Sequence, residues 1–280
     1  MKKIIIFFAL ISAILPSGCA QNNIRLLVRA DDIGSSHNAN LACIESYKNG
    51  IVRSVEIMVP CAWFEEAVKM LNDNPGLDVG VHLVLTSEWD NYKWRPLTYA
   101  PSITDEDGYF FPMVWPNGNY PESRTLAHSS YDLKEIEAEL RAQIELAMKK
   151  IPNVSHLSGH MGFASLSPEI KNICEKLAVE YKLETDLTKV KSAGGSYEKN
   201  PGKSGTENYI EMLKSLKPGT YLYVEHPGLN TPEAQAIFHT GYENVATDRQ
   251  LVTDIFTNSD VKKIIAERKI QLISYKDVKK

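Results

Sequence analysis

Apolar residues along this chain follow two different periods, and these predict its elements. Short runs rich in Val, Ile and Leu predict buried strands, whereas apolar residues that recur every three or four positions predict amphipathic helices. The predicted strands cover residues 24–32, 51–60, 77–86, 154–160, 219–228 and 269–278. The predicted helices cover residues 38–50, 62–76, 131–151 and 167–183.

Strands and helices that alternate along a whole chain predict an α/β fold with a mostly parallel sheet. For a chain of 280 residues, a closed or nearly closed β/α barrel is favoured over an open sheet. No G-x-G-x-x-G follows the first strand, so a dinucleotide-binding fold has no support. Residues 88–130, rich in Trp, Tyr, Pro and Gly, and residues 188–208 are expected to be irregular.

The N-terminus has the layout of an export signal. Two lysines precede an apolar run, Ile4 to Leu15, that is shorter than the roughly 20 residues needed to span a bilayer. The small residues before Cys19 are typical of lipoprotein processing, so we expect residues 1–18 to be a signal peptide and Cys19 to be lipidated. Residues 20–280 then form one domain of an exported protein. It is anchored in the cell envelope by its lipid, or otherwise periplasmic or secreted.

Composition and charge indicate an ordinary globular protein and exclude few other classes of function. The chain is 43% apolar and 24% charged with a net charge of −4, which is typical of a globular domain and gives no reason to expect a nucleic-acid partner. The remaining cysteines, Cys43, Cys61 and Cys174, are odd in number, which argues against a disulfide framework. Homo-oligomerisation stays open.

Acidic and histidine residues lie at or near the ends of the predicted strands. They are, in chain order, Asp31, Asp32, His82, His156, His160 and His226. In a β/α barrel the working residues sit at the C-terminal ends of the strands. One carboxylate and two imidazoles from different strands would form a facial set for a divalent metal with open positions. The second carboxylate would then be free for proton transfer.

Two adjacent carboxylates need a cation or a proton to relieve their repulsion. The simpler alternatives are a turn at Asp31-Asp32, and strand histidines that are hydrogen-bonded core residues. The joint occurrence of these residues at strand ends favours the metal site. Two nitrogen ligands suit Zn, Mn, Co or Fe(II), and Mg less readily. We expect one divalent ion, with Zn and Mg as the first candidates.

Six short motifs run in order along nearly all of the mature chain: RADDIG, NGIVRS, GVHLVLT, HLSGH, EHPG and SYKDV. Together they resemble the YdjC-like carbohydrate deacetylases, the family of the chitooligosaccharide deacetylases. The resemblance implies a distorted or incomplete TIM-like β/α barrel. It also implies a metal-dependent hydrolase that removes N-acetyl groups from acetylated amino sugars or oligosaccharides.

The resemblance also assigns roles to individual residues. By motif, Asp32, His82 and His160 would be the metal ligands. Asp31 would be the general base that takes a proton from water. His226 would be a general acid or an oxyanion stabiliser.

Two positions depart from the family pattern. Arg29 stands where the family has Asn before the two aspartates, and Ser158 stands where the family pattern H-x-D-x-H has Asp. Ser158 shares a strand face with His156 and His160, so it should point into the site. The lost carboxylate could change the metal preference, the orientation of His226 or the choice of substrate.

The expected substrate is an acetylated oligosaccharide, and aromatic residues in the irregular segment could form a glycan-binding lip. The alternative is that they pack this segment onto the barrel. They are Trp89, Tyr92, Trp94, Tyr109, Trp115 and Tyr120. Two other functions stay open: a metal-dependent hydrolase of another glycan ester or phosphoester, and a catalytically impaired glycan-binding surface lipoprotein.

Overall fold

The computed structural model describes residues 23–184, 187–194, 197 and 200–278. The predicted signal peptide and lipidation site lie outside the described residues. Within those residues, no helix combines the length and the apolar character that a membrane span requires.

The strands form one parallel sheet. In the described part of the chain they are β1 (Ile24–Ile33), β2 (Ser54–Ile57), β3 (Asp78–Leu83), β4 (Val154–Gly159), β5 (Lys191–Ser192), β6 (Gly219–Glu225) and β7 (Gln271–Ile273). The order across the sheet is β4-β3-β2-β1-β6-β5, and β7 pairs with the first half of β1. The chain therefore extends to one side of β1 first and then to the other, as the strands of an opened β/α barrel do.

Helices connect these strands. They are α1 (His37–Lys48), α2 (Phe64–Asn72), α3 (Leu133–Lys150), α4 (Pro168–Tyr181), α5 (Gly205–Ser215), α6 (Pro232–Gln235), α7 (Val245–Thr257), α8 (Ser259–Glu267) and α9 (Tyr275–Val278). Their starts follow local chemistry. The Ser36 side chain accepts a hydrogen bond from the Ala39 N–H at the start of α1, and Ser167 does the same for Ile170 in α4.

The central strand β1 organises the core. Leu26, Val28 and Ala30 are fully buried, as expected for a parallel strand covered on both faces. Because all strands run in the same direction, their carboxyl ends meet at one edge of the sheet. That edge receives the polar residues at the ends of β1 and β3 and those directly after β4 and β6.

The predicted fold, an incomplete TIM-like barrel, is confirmed, and residues 88–130 contain only short 3-10 turns and isolated bridges. The prediction that residues 188–208 form a loop was wrong. Lys191–Ser192 pairs with β6, and α5 begins at Gly205 behind a capping box formed by Ser204 and Glu207. The last predicted strand is also shorter, since its final residues form α9.

Candidate metal centre

Three predicted ligands converge at the carboxyl edge of the sheet. Oδ1 of Asp32 lies 3.7 Å from Nε2 of His82 and 3.6 Å from Nδ1 of His160. The two histidine nitrogens are 3.3 Å apart. Ligand atoms held about 2 Å from a zinc ion are themselves roughly 3 to 3.5 Å apart in a tetrahedral site. The spacing therefore suits one small divalent ion.

The surroundings of these atoms also fit a metal. Among the described residues, none offers a hydrogen bond to the buried Oδ1 of Asp32. A buried carboxylate oxygen without a partner is costly, and a cation would relieve it. All three side chains are nearly inaccessible to solvent. The donor set is one oxygen and two nitrogens, which zinc accepts readily.

The end of β1 turns both aspartates toward the site. Successive side chains of a regular strand point to opposite faces, so only one of the pair should face inward. Here the pairing with β2 is irregular between Ala30 and Ile33, and Asp32 has a φ of +72°. Non-glycine residues rarely adopt this left-handed conformation, which costs about 1–3 kcal/mol. It brings the Asp32 carboxylate to the metal site while Oδ2 of Asp31 stays 3.8 Å from Nε2 of His82.

His160 is oriented by a residue that the sequence analysis missed. Its Nε2 lies 3.0 Å from Oε2 of Glu88, which is buried. Glu88 belongs to the segment after β3, and the Gln143 side chain fixes the start of this segment through both backbone groups of Val84. In metal sites a ligating histidine usually has a carboxylate on its far nitrogen. The Glu88 contact leaves Nδ1 of His160 to face Asp32 and His82.

His82 is held through Ser158. Nδ1 of His82 lies 2.7 Å from the Ser158 hydroxyl oxygen, and this hydroxyl donates to Glu56. Ser158 thus points into the site, as its strand face predicted. Glu56 is fully buried and its other carboxylate oxygen lies 2.6 Å from Nε2 of His156. Any influence of Ser158 on the site therefore runs through His82 and not directly through His226.

Two arginines hold the aspartates. Nε and Nη2 of Arg29 donate to the two oxygens of Asp31 at 2.7 and 2.8 Å, which is the bidentate geometry that fixes a carboxylate most firmly. Nη2 of Arg249, from α7, donates to Oδ2 of Asp32 at 2.8 Å. The Arg249 contact leaves only Oδ1 of Asp32 for a metal.

Burial and neighbouring charges set the protonation of the three groups. Burial lowers the pKa of His82 to about 4, although the aspartates oppose it, so this imidazole is neutral at neutral pH. Burial opposes ionisation of Asp32, but Arg249 and the histidines outweigh it and hold its pKa far below the usual value. Burial likewise opposes protonation of His160, but the Glu88 carboxylate outweighs it and raises the pKa.

His226 lies beside this centre, directly after β6. Its side chain is 40% exposed, and its Nδ1 is 3.9 Å from Oε2 of Glu225. It shares the wall of a cavity of about 130 Å³ with Arg249, whose guanidinium reaches Asp32. Loss of hydration opposes protonation of His226, but the charge of Asp32, followed by the side-chain contact with Glu225, outweighs it and raises the pKa above the usual value.

Three of the six aromatic residues of the predicted lip pack the irregular segment onto the barrel. Trp89, Trp94 and Tyr120 are buried, and Nε1 of Trp94 donates to the Thr86 carbonyl at 2.8 Å. Trp115 differs, since it is 43% exposed. The lip interpretation therefore applies to Trp115 and not to these buried rings.

Sequence analysis missed three residues around the site because none of them stands in a distinctive local pattern. Glu88 is an acidic residue within an irregular segment, Arg249 is one of many charged residues on helices, and Glu56 looks like a polar position on a strand. The signal that could have found Glu88 is its place just after the GVHLVLT motif, at the same sheet edge as His82.

Comparisons with known proteins identify the family of this chain. The family model described as "YdjC-like protein" matches residues 25–267. A carbohydrate deacetylase of Listeria monocytogenes is 28% identical over 262 residues, which cover 91% of this chain and 100% of the relative. A carbohydrate deacetylase of Thermus thermophilus is 33% identical over 236 residues, 76% of this chain and 80% of the relative.

A solved structure supports the fold alone. This crystal structure from Enterococcus faecalis, described as that of a candidate cellobiose-phosphate cleavage protein, has a TM-score of 0.70 at 24% identity. The match covers 92% of this chain and 99% of the other. The incomplete barrel is therefore an architecture that crystallography has also found.

Proposed function

The chain belongs to the YdjC-like family of carbohydrate deacetylases, and from that premise we propose that it is a metal-dependent N-deacetylase of acetylated amino sugars or their oligosaccharides. The membership confirms the predicted class of enzyme, a carbohydrate deacetylase. The observation that carries the rest of the proposal is the convergence of Asp32, His82 and His160, with Asp31 beside them.

A divalent ion held by Asp32, His82 and His160 would polarise the amide carbonyl and lower the pKa of a water at the site towards about 7. Two nitrogen donors favour zinc over magnesium as that ion. The neutral state of His82 suits ligation, whereas the raised pKa of His160 means that an ion bound there would displace a proton.

In this proposal Asp31 is the general base. Its Oδ2 lies beside the ligand cluster, 3.8 Å from Nε2 of His82. Its partner Arg29 holds both carboxylate oxygens in place. A positioned carboxylate of this kind can take the proton of the attacking water.

In this proposal His226 protonates the leaving amine. It lies at the neighbouring strand end, on a cavity wall shared with Arg249. Its raised pKa keeps a larger fraction of the imidazole protonated near neutral pH. An amine leaving group requires such a donor.

We also propose that the protein is exported and anchored through Cys19, with residues 20–280 as its single domain. The support is the sequence of the first 19 residues, with its lysines, short apolar run and small residues before the cysteine. Metabolic labelling with a radioactive fatty acid tests it. Label should enter the wild-type chain and not Cys19→Ser, and equal labelling of both would refute it.

The activity is tested by a screen with three readouts on the zinc-loaded protein. N-acetylglucosamine oligomers should release acetate and expose free amines. O-acetylated and phosphorylated glycans should release neither acetate nor phosphate at a comparable rate. Phosphate release or O-acetyl hydrolysis alone would favour another metal-dependent hydrolase. Binding without turnover on any substrate would favour the impaired binding protein.

A further inference from the structure

Glu56 is a buried carboxylate for which the catalytic scheme above has no use. It lies on β2 and no part of its side chain reaches solvent. Its two oxygens have separate partners: Oε1 lies 2.6 Å from Nε2 of His156, and Oε2 accepts from the Ser158 hydroxyl. Burial of a charge is costly unless it is paired and hydrogen-bonded, so a carboxylate at this place requires an explanation.

The strand register shows how Glu56 reaches β4. Glu56 pairs with Gly80 on β3, and Gly80 pairs with His156 on β4. A Cβ on Gly80 would lie 2.5 Å from Oε2 of Glu56 and 2.4 Å from Nε2 of His156. The missing side chain of Gly80 therefore opens a path across β3, through which a residue of β2 contacts Ser158 two strands away.

The hydrogen bonds along this path determine the tautomer of His82. The Ser158 hydroxyl has one proton, and it is donated to Glu56. The hydroxyl oxygen must then accept from His82, so the proton of the neutral imidazole sits on Nδ1, 2.7 Å away. This leaves the lone pair on Nε2, the atom that faces Asp32 and His160.

We propose that Glu56 is a positioning residue that, through the Ser158 hydroxyl, holds His82 in the tautomer and orientation required for metal binding. The inference rests on the proposed metal site. In this chain the carboxylate that H-x-D-x-H carries on β4 has its counterpart on β2, and Ser158 connects it to the histidine. Carboxylates that orient ligating histidines typically change metal affinity about 10- to 100-fold when removed.

A simpler role for Glu56 would be to form ion pairs with His156 and with Arg29, whose Nε lies 3.7 Å from Oε1 of Glu56. The two roles differ at Ser158, because removing its hydroxyl leaves the Glu56–His156 contact intact but disconnects His82. Ser155 provides a matched control on the same strand. Its hydroxyl contacts Nδ1 of His156 and Asp78, and within the described part of the chain it makes no hydrogen bond to His82.

The experiment measures zinc affinity by competition with a chromogenic chelator, and the His82 tautomer from ¹⁵N imidazole shifts of the metal-free protein. Ser158→Ala and Glu56→Gln should each weaken zinc binding about 10- to 100-fold and shift the His82 proton from Nδ1 toward Nε2. Ser155→Ala should match the wild type in both. Ser158→Asp alone should bind poorly, because it places two carboxylates in contact.

The double variant Glu56→Gln with Ser158→Asp is the decisive member of the series. It returns the carboxylate to β4 and should recover zinc affinity to within a few-fold of the wild type. Wild-type affinity in Ser158→Ala with an unchanged tautomer would overturn the inference and leave the metal site standing. Absence of zinc binding by the wild type would overturn both. If Glu56→Gln does not fold, as judged by thermal melting, Ser158→Ala and Ser158→Asp decide alone.

Discussion

Nε2 of His160 and Oε2 of Glu88 lie 3.0 Å apart in a site that solvent hardly reaches. The carboxylate comes from an irregular segment and the imidazole from the turn after β4. The pair therefore joins the segment to the barrel and directs Nδ1 of His160 toward Asp32.

Glu88→Gln should weaken zinc binding about 10- to 100-fold, because an amide orients the imidazole less firmly than a carboxylate does. Isothermal titration with zinc measures this. Glu122→Gln is the matched control, since Glu122 contacts His128 at 3.5 Å on the exposed surface. If both variants bind zinc like the wild type, Glu88 does not support the centre.

Substitution of the two adjacent aspartates should have different effects. Asp31→Asn should retain the metal and lose at least about 100-fold in kcat, the usual contribution of a general base. Asp32→Asn should lose the metal, because Oδ1 of Asp32 is the carboxylate oxygen of the cluster. Metal content per chain and kcat of the metal-loaded proteins test both statements. Near-normal kcat in Asp31→Asn would remove its role as base, and loss of metal in that variant would mean that the roles are exchanged.

The alkaline limb of the pH profile should depend on Glu225. His226 acts as an acid only when protonated, and the Glu225 carboxylate at 3.9 Å helps to raise its pKa. Glu225→Gln removes that charge and lowers the pKa, so kcat/KM should begin to fall about half to one pH unit earlier as pH rises. The acid limb should stay in place. An unmoved alkaline limb would mean that His226 is not the titrating donor.

Two tryptophans of the irregular segment should respond differently to substitution. Trp115 is 43% exposed beside Gly162, where a Cβ would lie 4.0 Å from its ring. Trp115→Ala should raise KM for oligosaccharides about 2- to 10-fold, the equivalent of one aromatic contact, without changing the melting temperature. Trp89→Ala should instead cost about 3–5 kcal/mol of stability, because the Trp89 ring is buried. A destabilised Trp115→Ala with unchanged KM would assign Trp115 to packing as well.

Much of the fold was predictable because its signals are local. Hydrophobic periodicity identifies strands such as β1 and helices such as α3, and their alternation predicts a parallel sheet. The segment that contains β5 carries no such signal, whereas the start of α5 has the local capping box of Ser204 and Glu207. Lys191 and Ser192 form a strand only because the edge of β6 is available to pair with them. Pairing with β6 creates that strand, and no local sequence pattern predicts it.

The site was predictable to the extent that strand ends define it. Asp32, His82 and His160 could be brought together because parallel strands end at one edge. The residues that hold these ligands could not be predicted in this way. Glu56, for example, reaches Ser158 across Gly80, and this contact depends on the strand register. Side-chain alternation also failed at the aspartates, where the left-handed backbone of Asp32 brings both into the site.

One divalent ion at Asp32, His82 and His160 should be required for deacetylation. The most direct test measures metal per chain and acetate release on the same preparations of wild type, His82→Ala and His160→Ala. We predict about one zinc per wild-type chain, loss of acetate release on chelation with recovery when zinc is restored, and neither metal nor activity in the variants. Acetate release that persists in fully metal-free wild-type protein would contradict the account.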